Sequence, residues 1–295
     1  EMMVEPGMES TLYLTLAPDG VTKASGDGHG NQAEDNTIQT LEVFIFRCNE
    51  GKADDGILDG YKKFTGQEAG NLTGLEIKTT TGKKMIYVVA NSHRENWKGI
   101  NTRTLFEEQR ALLAQDASKN FLMTGSTEAY LQVASTIIIS MKRMAARVKL
   151  NSVKTAFEGG VYEGAELTDV KAYLINVQGS KVIYNGLGNN LSVLNSGQYV
   201  AEDASSCAMP GMLYDNLASS ITDSGYDTPH YFYCYENNFT KEEGENKFTR
   251  LVIEGKLNGT TYYYPLPIKG IVRNNSYSVD ITIKRPGSLD PGKDV

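Results

Sequence analysis

The residues able to carry acid–base, nucleophilic or metal chemistry are few and scattered. Histidine occurs three times, at His29, His93 and His230, and cysteine three times, at Cys48, Cys207 and Cys234. No His-x-x-x-His pair, Cys-x-x-Cys pair or Cys/His grouping has the spacing that zinc requires. No Gly-x-Ser-x-Gly surrounds a serine, so a nucleophile elbow has no support. Gly26-Asp27-Gly28-His29-Gly30 resembles a phosphate cradle in composition only, because it lacks the strand–loop–helix frame that gives such glycines their role. It reads as a flexible loop. Asp54-Asp55-Gly56 with Asp59-Gly60 has carboxylates suited to calcium but not the spaced oxygens and terminal Glu of an EF-hand loop, and reads as a solvated turn. The aromatic run Tyr231–Tyr235 (YFYCY) could stack on a sugar, but alternation along a strand places most such rings in a core. No catalytic residue, cofactor or metal ligand is therefore assigned, and an enzyme is not expected.

What must position these residues is a β-rich chain. At 295 residues the chain is long for one hydrophobic core and natural for two. Tyr at 17 and Gly at 29, against a single Trp, favour strands and turns. Twenty-nine basic residues against 36 acidic ones give a net charge of −7 without long runs of either sign, which argues against a nucleic-acid partner. Three widely spaced cysteines are not a disulfide framework. No apolar run reaches the ~20 residues that cross a bilayer, and no basic and apolar leader opens the chain. It begins with Glu1, so a processed or trimmed form is expected, with any signal peptide or lipid-bearing cysteine upstream.

Thr11–Leu16 (TLYLTL) alternates, with Leu12, Leu14 and Leu16 on one face, as a half-buried strand does. The polar stretch Ala17–Asn36 follows as a loop. Leu41–Phe46 and Met85–Ala90 are apolar on both faces and read as central strands. Asn101–Ala114 is expected to hold the one helix, from a capping box at Thr104 and Glu107 and from the recurrence of Leu105 with Leu112 and Phe106 with Leu113. Trp97 is expected to cap a core edge. Tyr130–Ser140, Val148–Val153, Val170–Val177, Leu251–Leu257, Thr260–Ile268 and Tyr277–Ile283 read as further strands, with Asn258-Gly259 as a hairpin turn. Short strands separated by turn signals imply an all-β fold of two tandem β-sandwich domains, 1–143 and 144–295, with a minor helix in the first.

The order of these features resembles the fimbrillin family, the subunits of Bacteroidales type V pili. The matching pieces are Ile86–Asn91 (a "VxAN" segment), Phe121–Ser126 ("MTG"), Lys142–Val148 ("xRxxARV") and Asn274–Tyr277 with Ile281–Ser288 (the "RNxxYxxxIxIxGPG" ending). The likeness runs over nearly the whole chain. It implies transthyretin-like sandwiches, export as a lipoprotein to the outer membrane, and polymerisation with other pilus subunits after a trypsin-like surface protease cuts behind the first strand. By position the matching bond is Lys23–Ala24, with Lys where relatives often carry Arg. Lys23 is also the only basic residue between Glu1 and Arg47, in the loop type where nicking concentrates. Thr11–Leu16 would then be the removable strand, and Leu12, Leu14 and Leu16 the side chains whose departure opens a groove. Many stalk members continue past the Pro-Gly tail into further strands, whereas this sequence stops at Val295, so the resemblance supports a pilus subunit ahead of a stalk subunit. Host or bacterial surface ligands are further expected partners. The competing reading is a non-polymerising surface lipoprotein that binds glycans or a host protein through its second domain.

Overall fold

Fourteen main strands carry the fold in the computed structural model, which describes residues 4–18, 34–184 and 192–293. The chain divides into two compact units. The described residues of Glu1–Ala111, Asp116–Met144 and Lys181–Gly188 form the first, and those of Leu112–Gln115, Ala145–Ser180 and Asn189–Val295 form the second.

In the first unit the strands are β1 (Glu9–Pro18), β2 (Thr40–Arg47), β3 (Leu58–Thr65), β4 (Leu75–Thr80), β5 (Gly82–Ala90), β6 (Met123–Leu131) and β7 (Ala134–Arg143). They pair in the order β3-β2-β5-β6 and β7-β1-β4, two layers joined where Met123 and Thr124 of β6 pair with Arg143 and Lys142 of β7. Leu12, Leu14 and Leu16 of β1, Leu75 and Ile77 of β4, Leu41, Val43 and Ile45 of β2, and Ile86 and Val88 of β5 meet in one buried cluster between the layers. The opposite faces of β2 and β5 are covered by aromatic rings. Phe44 lies 4.5 Å from Phe106 and 5.0 Å from Trp97, and Tyr87 lies 4.3 Å from Tyr184, centroid to centroid. Two buried faces explain why these strands have no polar alternation, and Trp97 caps that aromatic layer.

The second unit repeats the topology with strands offset by seven. Its strands are β8 (Ala145–Thr155), β9 (Leu167–Ile175), β10 (Tyr214–Ile221), β11 (His230–Tyr235), β12 (Arg250–Leu257), β13 (Thr260–Pro267) and β14 (Ser276–Ile283). They pair as β10-β9-β12-β13 and β14-β8-β11. As β1 runs parallel to β7 and antiparallel to β4, so β8 runs parallel to β14 and antiparallel to β11. The β12–β13 turn has Asn258 at φ 50° and Gly259 at φ 84°, the pair of positive angles that a two-residue hairpin favours. The molecule is all-β, built of sandwiches.

Two expectations are corrected. The expected helix spans only Arg103–Glu107, capped by Thr102, whose Oγ1 accepts from Leu105 N at 3.3 Å, and it is not the one helix, since short helices also form at Gln67–Gly70 and Ala201–Ser206. Glu107 turns to Arg103 at 2.8 Å and to the Tyr87 hydroxyl instead of closing a capping box. Leu105 and Leu112 stay exposed at 39% and 45%, so their spacing marks no buried helical stripe, and Arg110–Leu112 is extended. Tyr130–Ser140 is two strands, because the chain reverses at Gln132-Val133 between β6 and β7.

That reversal is an unusual hairpin: it is paired at its far end, while near its turn the strands splay into different layers. Gly125 permits the crossing. A Cβ there would collide with the Ser140 carbonyl oxygen and stand 2.7 Å from Ile139 Cγ2. Gly125→Ala is expected to destabilise the first unit by about 1–3 kcal/mol, as overpacking does, read from the denaturant midpoint. An unchanged midpoint would show that the crossing has slack.

Candidate functional site

β1 is an internal strand. It pairs antiparallel with β4 from Glu9↔Thr80 to Leu14↔Leu75, and parallel with β7 from Thr11↔Ala134 to Pro18↔Met141. Leu12 and Leu14 are fully buried and Leu16 is 4% exposed. Short contacts fasten its start: Ser10 Oγ donates to the Gln132 carbonyl at 2.5 Å, and Lys78 Nζ donates to Thr11 Oγ1 at 2.8 Å. Upstream, the Tyr130 hydroxyl donates to the Val4 carbonyl at 2.8 Å and Thr81 Oγ1 to that of Glu5 at 2.5 Å. Lys23 and Ala24 lie outside the described residues.

The strands on either side of β1 are each fastened to the opposite layer without it. On one side β4 is tied to β3 through Asp59, whose side chain is 2% exposed. Asp59 Oδ2 accepts from Thr79 Oγ1 at 2.8 Å, from Thr80 N at 3.0 Å and from Thr80 Oγ1 at 2.7 Å. Lys84 Nζ lies 2.9 Å from the same oxygen, and Arg47 Nε lies 2.8 Å from Oδ1. Burial alone would raise the carboxyl pKa. The hydrogen bonds from Thr80, Lys84, Thr79 and Arg47 outweigh it and hold the group well below the usual carboxylate range. Lys62 Nζ adds a bond to the Glu76 carbonyl at 3.0 Å. On the other side, β7 is held by the crossing at Gly125 and by its ladder to β6. The Tyr184 hydroxyl reinforces that corner, donating at 2.6 and 2.8 Å towards the carbonyls of Val88 and Gly125.

β1 therefore fills a slot with two standing walls and an apolar floor. Such walls are rows of backbone groups ready to pair with any strand of suitable pattern.

The other candidates resolve into structural roles. Asp54 is bound by Arg47 at 3.1 Å and by Asn49 at 3.0 Å, and Asp55 accepts from Asn49 N at 2.8 Å. Their oxygens serve the turn, while Asp59 serves the seam. Among the described residues no three His, Cys, Asp or Glu side chains group to hold a metal ion. His93 pairs with the buried Asp116 at 2.9 Å. His230 bridges Asp215 at 2.8 Å and the Tyr226 hydroxyl at 2.7 Å, sewing β10 to β11. Within Tyr231–Tyr235, Phe232, Cys234 and Tyr235 are fully buried and Tyr233 is 5% exposed. The run is core, and burial pushes the Cys234 thiol up to about 12. Gly26–Gly30 lies outside the described residues.

The alternation of Thr11–Leu16 marks Leu12, Leu14 and Leu16 as a buried face, and they are buried. Asp59 as a fastening and Gly125 as a crossing are not marked, since neither role has a local pattern.

Comparison with known proteins adds a frame. The sequence model of the major fimbrial subunit protein (FimA) family matches residues 10–173. Major fimbrium subunit FimC of Porphyromonas gingivalis is 25% identical over 301 residues, covering 97% of this chain and 62% of that protein. The chain thus spans about three-fifths of the length of the curated relatives it matches. A candidate cell adhesion protein of Parabacteroides distasonis superposes with a TM-score of 0.70 at 17% identity, over 95% of this chain and 89% of that one. A fimbrilin of Porphyromonas gingivalis W83 superposes with a TM-score of 0.64 at 19% identity, over 98% and 93%. At these identities the structural likeness is one of fold.

Proposed function

The chain belongs to the major fimbrial subunit protein (FimA) family, and from that membership we propose that it is a structural and adhesive subunit of a cell-surface pilus, assembled by replacement of its first strand. A lipoprotein precursor delivered to the outer membrane, with sandwich domains of 1–143 and 144–295, completes the reading. The observation that carries it is the slot of β1. Its walls, β4 and β7, are each fastened to the opposite layer independently of the strand between them, so departure of β1 leaves an acceptor and not a collapsed domain.

Cleavage at Lys23–Ala24 by a trypsin-like surface protease separates β1 from the rest of the chain. The pockets that held three buried leucines, and the two rows of backbone groups on β4 and β7, then become available to a strand of another subunit. The incoming strand must run parallel to β7, present apolar side chains at alternate positions and offer a polar outer face like that of Thr11, Tyr13 and Thr15. Because donor and acceptor surfaces differ, the contact is head-to-tail and propagates into a filament.

The test is limited trypsin digestion of the wild type and of Lys23→Ala, with the new N-terminus sequenced and the products viewed by electron microscopy. The wild type is expected to begin at Ala24 and to form filaments when mixed with subunits that carry a donor strand. The variant is expected to stay intact at that bond and to remain monomeric. Filaments from the uncleaved variant would refute the proposal.

A further inference from the structure

On one face of the β10-β9-β12-β13 sheet the strands part around a cavity of about 450 Å³, within the ~300–1,000 Å³ typical of small-molecule sites. Its origin is a bulge. The register of β9 slips between Val170 and Lys171 against β10, and between Thr168 and Lys171 against β12. Asp169 sits at φ 51°, uncommon for a residue with a side chain. Bulges re-aim side chains and are over-represented beside functional sites.

The lining is mixed: Val170, Leu217 and Ala218 stand among polar side chains whose charges balance. Asp169 and Glu254 bring carboxylates, Lys171 and Lys256 ammonium groups, Asn216 an amide and Thr261 a hydroxyl. The charges are already matched: Lys256 Nζ lies 2.8 Å from Asp169 Oδ2, and Lys171 Nζ lies 3.6 Å from Glu254 Oε1. A cavity with paired charges has no net field to favour a phosphate or a divalent cation. It keeps spare hydrogen-bonding capacity, because a carboxylate offers about four acceptor sites and an ammonium three donors. A neutral ligand dense in hydroxyls, each both donor and acceptor, suits that surface.

Beside the polar wall stands a group of tyrosines. Tyr263 is in register with Glu254, and the buried Tyr173 donates its hydroxyl to Glu254 Oε2 at 2.9 Å, fixing that carboxylate in place. Tyr173 and Tyr214 stack at 6.1 Å, and Tyr199 and Tyr214 at 4.4 Å. Tyr199, Tyr214 and Tyr263 remain half-buried, packed against Tyr173 and Val252. Such rings combine an apolar face with a polar tip.

We infer that this cavity binds a neutral saccharide unit, its hydroxyls held by Asp169, Asn216, Glu254 and Lys256 and its C–H face laid against the tyrosine rim. This gives the second unit a ligand-binding role separate from polymerisation, and on a different surface from the aromatic strand Tyr231–Tyr235.

Saturation-transfer NMR on the intact, uncleaved protein tests it, with glucose, galactose, mannose and N-acetylglucosamine offered singly. At least one sugar is expected to saturate, and Asn216→Ala and Lys256→Ala are each expected to weaken it about tenfold. Lys256 is 47% exposed, so its truncation is expected to leave the thermal midpoint in place. Absence of saturation by all four sugars, unchanged binding in both variants, or preference for inorganic phosphate would overturn the inference. The experiment uses the monomer, so its outcome does not depend on strand replacement.

Discussion

Protein lacking residues 1–23 is expected to bind a synthetic peptide of the β1 sequence ESTLYLTLAP tightly, and the same peptide carrying Leu14→Asp at least ~100-fold more weakly. Each of Leu12, Leu14 and Leu16 passes from water to a buried cluster, contributing roughly 1.5–3 kcal/mol. The two ladders add main-chain bonds that fix direction and register. A carboxylate in the place of Leu14, which is fully buried, meets only apolar neighbours and is costly to desolvate. Fluorescence anisotropy with a labelled peptide measures both affinities. Equal binding of the two peptides would mean that the leucines do not read the slot, and the strand-replacement mechanism would fall with them. A scrambled peptide of the same composition separates register from stickiness.

Asp59→Ala is expected to destabilise the first unit by about 3–5 kcal/mol at neutral pH, the range for removing one partner of a buried ion pair. Lys84, only 4% exposed at its side chain, would lose its carboxylate partner, and β4 would lose three bonds to β3. The pH dependence follows from the direction of the shift. The folded-state pKa of Asp59 is depressed relative to an unfolded value near ~3.9. Its contribution is therefore fully present above about pH 5 and is lost as pH falls through the unfolded value towards the folded one. Denaturant unfolding at pH 7 and at pH 3 should show the wild type losing stability on acidification, with the variant losing less. Parallel pH profiles would remove Asp59 from its role. Because Asp59 holds a wall of the slot, the variant is also expected to bind the β1 peptide more weakly than the truncated wild type.

The parts of this molecule that repeat along the chain are legible in sequence. Alternation in Thr11–Leu16 marks a half-buried strand, and the doubly apolar runs Leu41–Phe46 and Met85–Ala90 mark central ones. Asn258-Gly259 marks its turn because that turn demands positive φ twice. The reversal at Gln132-Val133 carries no Gly, Pro or Asn, so the pattern there reads as one strand where two exist. The apparent helical period around Asn101–Ala114 pairs Leu105 with Leu112, which face solvent, and Phe106 with Leu113, which are buried from two separate short elements. The fastenings were beyond reach for a different reason. Asp59 acts on Thr79, Thr80 and Lys84, and Gly125 accommodates Ser140, partners set by topology and not by spacing. That the second half repeats the strand logic of the first is legible, but the shared pairing order of the two units is not, since a fold constrains burial pattern and connection order far more than residue identity. The bulge at Asp169 belongs to the same class.

The position of β1 between two partners bears on timing. An edge strand can peel away by breaking one row of bonds, but β1 must break two rows and withdraw three leucines at once. Cutting the peptide bond behind it changes none of those contacts. A nicked subunit would hold its own severed strand as a non-covalent plug, released at a rate set by local unfolding. Under the proposed mechanism the cut would then act as a licence and the plug as a clock, giving a nicked subunit a latent period before its slot opens.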